Sequence, residues 1–161
     1  MSKGAVSFNE SNVEYYTPRH IVDLFGPFDY DPATTAEQAE YLGIPNYDTV
    51  ETDGLFADWT RYRKIWINPP FSQKHQFFDK AVRTYKIARN DIFFLCPIEF
   101  LTTRRLHDCL QKWGGGVKIK IFLPAGRIKF KSGIGANEKS PAFGSVVLKL
   151  QDEYELETIR I

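Results

Sequence analysis

The stretch Ile65-Trp66-Ile67-Asn68-Pro69-Pro70-Phe71 decides how the chain is read. Residues 65–67 form a short apolar strand that must stop at Asn68, because two successive prolines cannot donate to a sheet ladder. A helix is expected next, over residues 75–88. Downstream the pattern repeats. Residues 91–96 form an apolar strand stopped by Pro97, and Thr102 or Thr103 caps a helix that reaches Trp113. The run Gly114-Gly115-Gly116 turns the chain into an alternating strand over residues 117–123. Residues 144–150 and 154–161 then read as a closing antiparallel pair joined at Asp152 and Glu153.

Upstream of the deciding stretch, Pro18 opens a short helix through Phe25, since proline is tolerated in a first turn. Gly26 and Pro27 end it. Residues 28–31 make a short strand running into Pro32, and residues 33–42 a helix with Gly43 beyond its end. Strands that alternate with helices indicate an α/β sandwich with a mainly parallel sheet. In that architecture ligands bind at the carboxyl ends of the strands. Two such ends carry unusual residues, Asp29-Tyr30-Asp31-Pro32-Ala33 and Asn68-Pro69-Pro70-Phe71.

Composition bounds the rest. With 161 residues, 43% of them hydrophobic and 25% charged, the chain is expected to be one domain over residues 1–161. The longest nearly apolar stretch, residues 92–100, contains Pro97 and Glu99 and is far short of the ~20 residues of a membrane span. Residues 1–20 hold Asn9, Glu10, Asn12 and Glu14 and no apolar signal core. Two cysteines, Cys96 and Cys109, form neither a disulfide framework nor a metal knuckle, so a reducing cytoplasm is expected and no metal. His20, His75 and His107 read as surface or partly buried side chains. The oligomeric state is left open, and a monomer is compatible with the sequence.

The net charge of +1 conceals a segregation. Residues 1–60 hold eleven acids and two bases, whereas residues 61–103 hold eight bases and three acids and residues 104–140 nine bases and two acids. Such a division suits a domain that holds a cationic or hydroxyl-rich ligand on one side and faces a polyanion on the other, and equally a solvated charge run that folding intermixes.

The tetrapeptide has a chemistry of its own. Asn68 supplies a side-chain carbonyl acceptor and Pro69 a peptide carbonyl, on a backbone that the prolines hold extended and strip of competing N–H groups. Two acceptors beside an aromatic ring complement an exocyclic amine. They would take its two hydrogens, favour a pyramidal nitrogen and expose its lone pair, while Phe71 stacks on its ring.

These residues, with others in order, resemble a known family. Asn68-Pro69-Pro70-Phe71 resembles the Asp/Asn-Pro-Pro-Tyr/Phe motif of amino-methyltransferases, and Tyr16-Thr17-Pro18 the Thr-Pro element that holds the methionine part of S-adenosylmethionine. Residues 28–33 resemble the first cofactor motif, and Glu51-Thr52-Asp53-Gly54-Leu55 followed by Trp59 the acidic motif on the adenine side. With Gly126-Arg127-Ile128-Lys129-Phe130 and the Gly144-Ser145 strand, the set over residues 14–150 resembles the small phage-type, Dam-like DNA N6-adenine methyltransferases.

The resemblance implies a trimmed Rossmann-like methyltransferase fold with S-adenosylmethionine as cofactor and DNA as partner. It places Tyr16, Thr17 and Pro18 at the methionine moiety and Asp29, Asp31, Pro32 and Ala33 along the cofactor. Asp53 would accept from its adenine amino group or from a nearby donor. Asn68 and the Pro69 carbonyl would grip a flipped adenine beside Pro70, with Phe71 stacked on it. One departure stands out: Asp31-Pro32-Ala33-Thr34-Thr35 contains no glycine, where most methyltransferases of this fold have a glycine-rich loop.

A stacked duplex adenine cannot reach a strand-end pocket, so base flipping or a single-stranded substrate is required. The basic series Arg127, Lys129, Lys131 and Lys139 suits a loop on phosphate, with Arg104 and Arg105 as further candidates. No separate target-recognition domain fits, so specificity is expected in short loops within residues 72–76 and 126–142. The same tetrapeptide also serves methylation of RNA or protein glutamine, and a catalytically silent nucleic-acid-binding module would keep the same fold.

Overall fold

A computed structural model describes residues 16–131, 138–139 and 143–161, with only the backbone of Glu138 and Lys139. The main sheet has seven strands: β1 (Tyr30–Asp31), β2 (Asn46–Tyr47), β3 (Lys64–Ile67), β4 (Asp91–Pro97), β5 (Lys118–Pro124), β8 (Ser145–Gln151) and β9 (Glu155–Ile159). Their order is β2-β1-β3-β4-β8-β5-β9. A two-stranded ribbon pairs β6 (Phe130–Lys131) with β7 (Glu138–Lys139). The helices are α1 (Arg19–Val22), α2 (Ala36–Leu42), α3 (Lys74–Ala88) and α4 (Arg104–Lys112).

All main-sheet pairings are parallel except those of β8, which runs antiparallel to both β4 and β5. The fold is thus the expected mixed, mainly parallel Rossmann-like sheet. The last two strands do run in opposite directions, but they do not pair with each other: β5 lies between them, Lys120 facing Lys149 of β8 and Glu155 of β9. An alternating pattern makes a strand without saying which strand is its neighbour.

Along β4 the side chains alternate between two cores. Ile92, Phe94 and Cys96 join Ile65, Ile67, Val146 and Leu148 under α3 and α4, where Phe77, Phe78, Ala81, Leu106 and Leu110 cover them. Phe93 and Leu95 join Trp66, Phe122 and Val147 on the opposite face, under Ile21 and Val22 of α1 and Leu42 of α2. Burial on both faces is why this strand reads as a continuous apolar run.

Helix ends follow local chemistry. Thr35 Oγ1 accepts from the Gln38 N–H and Gly43, at φ 73°, closes α2. Thr103 caps α4 in the same way, accepting from Leu106. Of residues 72–76, where a short recognition loop was expected ahead of and into the helix, none is loop: a 3₁₀ turn over Phe71–Gln73 leads straight into α3.

The parallel set β1, β3, β4 and β5 points its carboxyl ends to one edge of the sheet. Asp31, Asn68 and the segment after Pro124 therefore converge there, as does the amino end of α4.

Candidate active site

At that edge a cavity of about 520 Å³ opens. Six of the eight expected cofactor residues are on its wall: Tyr16, Thr17, Asp31, Pro32, Ala33 and Asp53. Asn68 and Pro70 close it on the β3 side. Leu42, Val50, Trp66 and Phe77 give it apolar surface, while Asp31, Glu51 and Asp53 give it three carboxyl groups. Among the described residues that line it there is no Lys, Arg or His. A volume in this range suits a nucleoside-sized ligand, and the charge suits one that is cationic and rich in hydroxyls.

Asp31 is the most perturbed of these acids. It is 2% exposed, and burial lifts its carboxyl from 3.8 to about 7, against the pull of the Ala33 N–H that donates to Oδ1 at 2.9 Å. Asp53 takes a left-handed conformation (φ 57°), and its Oδ1 accepts from the Leu55 N–H. It both caps the 3₁₀ turn Gly54–Phe56 and faces the cavity.

Two expected cofactor residues are not brought there. Asp29 sits at the opposite end of β1, its carboxylate accepting from the backbone N–H groups of Arg63 (3.0 Å) and Lys64 (2.9 Å). It fixes the start of β3, a task that an Asp-x-Asp pattern does not separate from ligand binding. Pro18 is the N-cap of α1, next to Thr17, and is not among the residues lining the cavity.

The glycine-free turn after β1 is packed against a glycine from another turn. Gly54 packs directly on Pro32, and its carbonyl accepts from Trp59 Nε1 at 2.8 Å. Sequence reading also passed over Thr34, Thr35, Gln38, Leu42 and Trp66, which line the cavity from the turn before α2, from α2 and from β3. Their one signal was proximity to residues already chosen.

A second, much smaller cavity of about 20 Å³ lies on the other side of Asn68, lined by Pro69, Phe71, Lys74, Leu95, Cys96, Pro97, Phe130, Phe143 and Ser145 as well. It has room for about one water molecule. Phe71 meets Phe143 edge-on at 5.5 Å, and Lys74 Nζ stands 5.6 Å from the centre of the Phe71 ring. Burial pushes the Cys96 thiol far up, so it is inert here. Asn68 is common to both cavities, and its Nδ2 donates to Thr17 Oγ1 at 3.0 Å.

The basic residues divide. Arg127 and Lys129 are exposed on the segment leaving β5, and Lys131 is half-buried in β6. Tyr16 and Lys131 exchange backbone hydrogen bonds of 2.9 and 3.1 Å, which ties this segment to the cavity wall. Lys139 pairs with Phe130 in backbone register, its side chain lying outside the described residues, as do residues 132–137 and 140–142 of the expected recognition loop. Arg104 and Arg105 are exposed at the start of α4, and Arg105 lines an outer groove with His75 and Asp108. His75 stacks toward Phe100 at 4.9 Å, and burial lowers its pKa.

The ordered motifs and this cavity pair agree with a whole-chain match: residues 10–159 fit the model of the family described as DNA N-6-adenine-methyltransferase (Dam). The chain belongs to that family. As a Dam-family member it is a methyltransferase, and its main sheet has seven strands rather than the trimmed set expected. Among similar solved structures is a protein predicted to be an O-methyltransferase from Agrobacterium tumefaciens, 12% identical, with a TM-score of 0.42 over 82% of this chain and 67% of that one. Another, assigned as a methyltransferase from Thermoplasma acidophilum, is 13% identical, with a TM-score of 0.40 over 84% of this chain and 72% of that one. No curated protein matches the chain. No helix among the described residues is long and apolar enough to cross a membrane.

Proposed function

We propose that the protein transfers the methyl group of S-adenosylmethionine to the N6 amino group of adenine in DNA. The observation that carries this is the position of Asn68, shared by an acidic, nucleoside-sized cavity and by a small aromatic one. The residues of the larger cavity fit the cofactor. A buried carboxyl at Asp31, further acids at Glu51 and Asp53 and no basic side chain among the described lining residues suit a sulfonium ion with ribose hydroxyls and an adenine amino group. When bound, the cofactor would supply an electrophilic methyl carbon and leave as the neutral thioether S-adenosylhomocysteine, and the methylated amine, then strongly acidic, would give its extra proton to water, so no strong base is asked of the protein.

Asn68 Oδ1 and the Pro69 carbonyl accept the two amino hydrogens of the target base, which turns the nitrogen lone pair outward as positive charge develops. Phe71 stacks on the adenine ring. Because the small cavity holds only about one water, the base enters as the Phe143 ring gives up its edge contact with Phe71. The base must leave the duplex stack to get there, and stacking on Phe71 returns roughly 1 to 3 kcal/mol of that cost. Arg127, Lys129, Lys131 and Lys139, with Arg104 and Arg105, are assigned to phosphate. One domain carries all of this, with target recognition in the segment around residues 126–142.

The test is nucleoside mass spectrometry on unmethylated duplex DNA, and on RNA in parallel, after incubation with S-adenosylmethionine and wild-type or Asn68→Ala protein. N6-methyladenine in DNA with the wild type alone supports the reading. Methylation confined to RNA overturns the DNA assignment, and methylation of neither overturns nucleic acid as the substrate.

A further inference from the structure

We infer that Thr17 and Gln38 are positioning residues for Asn68, holding its side-chain amide in place at the target base. The inference rests on the proposed role of Asn68 and deepens it.

An asparagine amide has two ends of nearly equal size, of which only the oxygen can accept a hydrogen. A side chain that grips an amine must therefore be held with its nitrogen turned away. Asn68 Nδ2 donates to Thr17 Oγ1 at 3.0 Å, which sends Oδ1, at the far end of the amide, in the opposite direction. Thr17 is well placed to be this fixed point, being 3% exposed and β-branched, so that its rotamer is stiff. The following Pro18 restricts its backbone to extended conformations. Its carbonyl is held in turn by Gln38 Nε2 at 3.1 Å, from a side chain that is 5% exposed. Gln38 is anchored at its own backbone by the N–H bond to Thr35 Oγ1. A connected set of hydrogen bonds thus runs from the amino end of α2, through Thr17, to the end of β3.

A threonine that merely touches the cofactor would act on affinity, and its loss would be felt whether or not Asn68 is present. A threonine that acts through Asn68 would act on turnover, and only while Asn68 is there. The experiment is a double-mutant cycle on the full chain, measuring kcat on DNA and cofactor affinity by calorimetry.

Thr17→Val keeps the shape and removes the acceptor. It should lower kcat about tenfold to thirtyfold, the effect of removing a hydrogen bond that orients Asn68, with cofactor affinity changed less than about threefold and activity restored in Thr17→Ser. In an Asn68→Ala background the same change should alter residual turnover by less than about twofold, since nothing remains to be oriented. Gln38→Met should give a smaller loss that disappears in the Thr17→Val background. Equal turnover in Thr17→Val and wild type, or a loss that persists without Asn68, overturns the inference.

A readout independent of catalysis is the side-chain amide signal of Asn68 in nitrogen-15 NMR, identified by its loss in Asn68→Ala. It should shift in Thr17→Val and stay in place in Thr17→Ser, and an unmoved signal in Thr17→Val overturns the inference. A wild-type protein that methylates no DNA overturns the function reading instead, and the NMR arm still decides the orientation.

Discussion

Gly54 lies so close to Pro32 that a β-carbon built on it would stand 1.9 Å from the Pro32 carbonyl oxygen. No side chain moves out of the way of such a contact, because the obstacle is backbone. The two turns that bracket the cofactor cavity therefore interlock at a position where only glycine fits.

Gly54→Ala should accordingly separate the turn after β1 from the turn carrying Asp53. Overpacking of this kind costs typically about 1 to 3 kcal/mol. Urea unfolding should show that loss, and calorimetry a fall of at least about tenfold in affinity for S-adenosylmethionine. An alanine variant with unchanged affinity would mean that the two turns do not need each other.

Asp31 makes the site pH-dependent. Its carboxyl titrates at about 7 in the folded chain against an ordinary value of 3.8, so the native state retains a proton that the unfolded chain releases. Stability should fall as pH rises from about 4 to about 7, and this component should vanish in Asp31→Asn. Cofactor binding carries the opposite slope. A cationic, hydroxyl-bearing ligand favours the carboxylate, so wild-type affinity should climb by up to about tenfold per pH unit below 7 and level off above it. Titrations between pH 5.5 and 8.5, with Asp31→Asn as the flat reference, check both signs.

Asn68→Ala removes an oriented acceptor and leaves β3 as it is, because the strand is held by register with Phe94 and Ile92 on β4. Turnover should drop by roughly 10²-fold or more with the thermal midpoint nearly unchanged. Steady-state kinetics and calorimetric scanning decide between this and a folding defect.

Phe71→Ala should act on capture of the base. Losing one stacking platform costs about 1 to 3 kcal/mol, so KM for DNA should rise about fivefold to a hundredfold, with a smaller change in kcat. A loss confined to kcat would show that Phe71 serves geometry and not stacking.

Lys129→Ala tests the phosphate assignment. If Lys129 neutralises one phosphate, the slope of log K against log salt should shallow by about 0.9 on duplex DNA. Arg104→Ala and Arg105→Ala measured alongside would show whether the amino end of α4 also reaches the backbone, and an unchanged slope removes that residue from the interface.

Much of this site was legible because its strand ends are punctuated. Pro97 marks a stop that is one residue from the observed end of β4, and Asn68 follows β3 directly. Strand β2 was illegible: Asn46 and Tyr47 are both exposed, so no alternation marks them, and the strand is held by the parallel register with β1 and by Asn46 Nδ2 donating to the Asp29 carbonyl. Asp29 itself was misread, since an acid that binds two backbone N–H groups looks in sequence like an acid that binds a ligand. Gly54 carried no distinguishing signal either. Its requirement comes from Pro32, twenty-two residues earlier, and local pattern reports nothing about contacts at that separation.

The paired hydrogen bonds between Tyr16 and Lys131 have a thermodynamic meaning. One residue belongs to the wall of the nucleoside-sized cavity and the other to the basic ribbon, so a displacement of either backbone is carried to the other. Coupling free energy between two ligands is reciprocal. If the cavity holds the methyl donor and the ribbon holds DNA, as proposed, then by whatever factor the donor strengthens the grip on DNA, DNA strengthens the grip on the donor. On that reading the Tyr16–Lys131 pair is the physical link through which departure of one product would favour departure of the other.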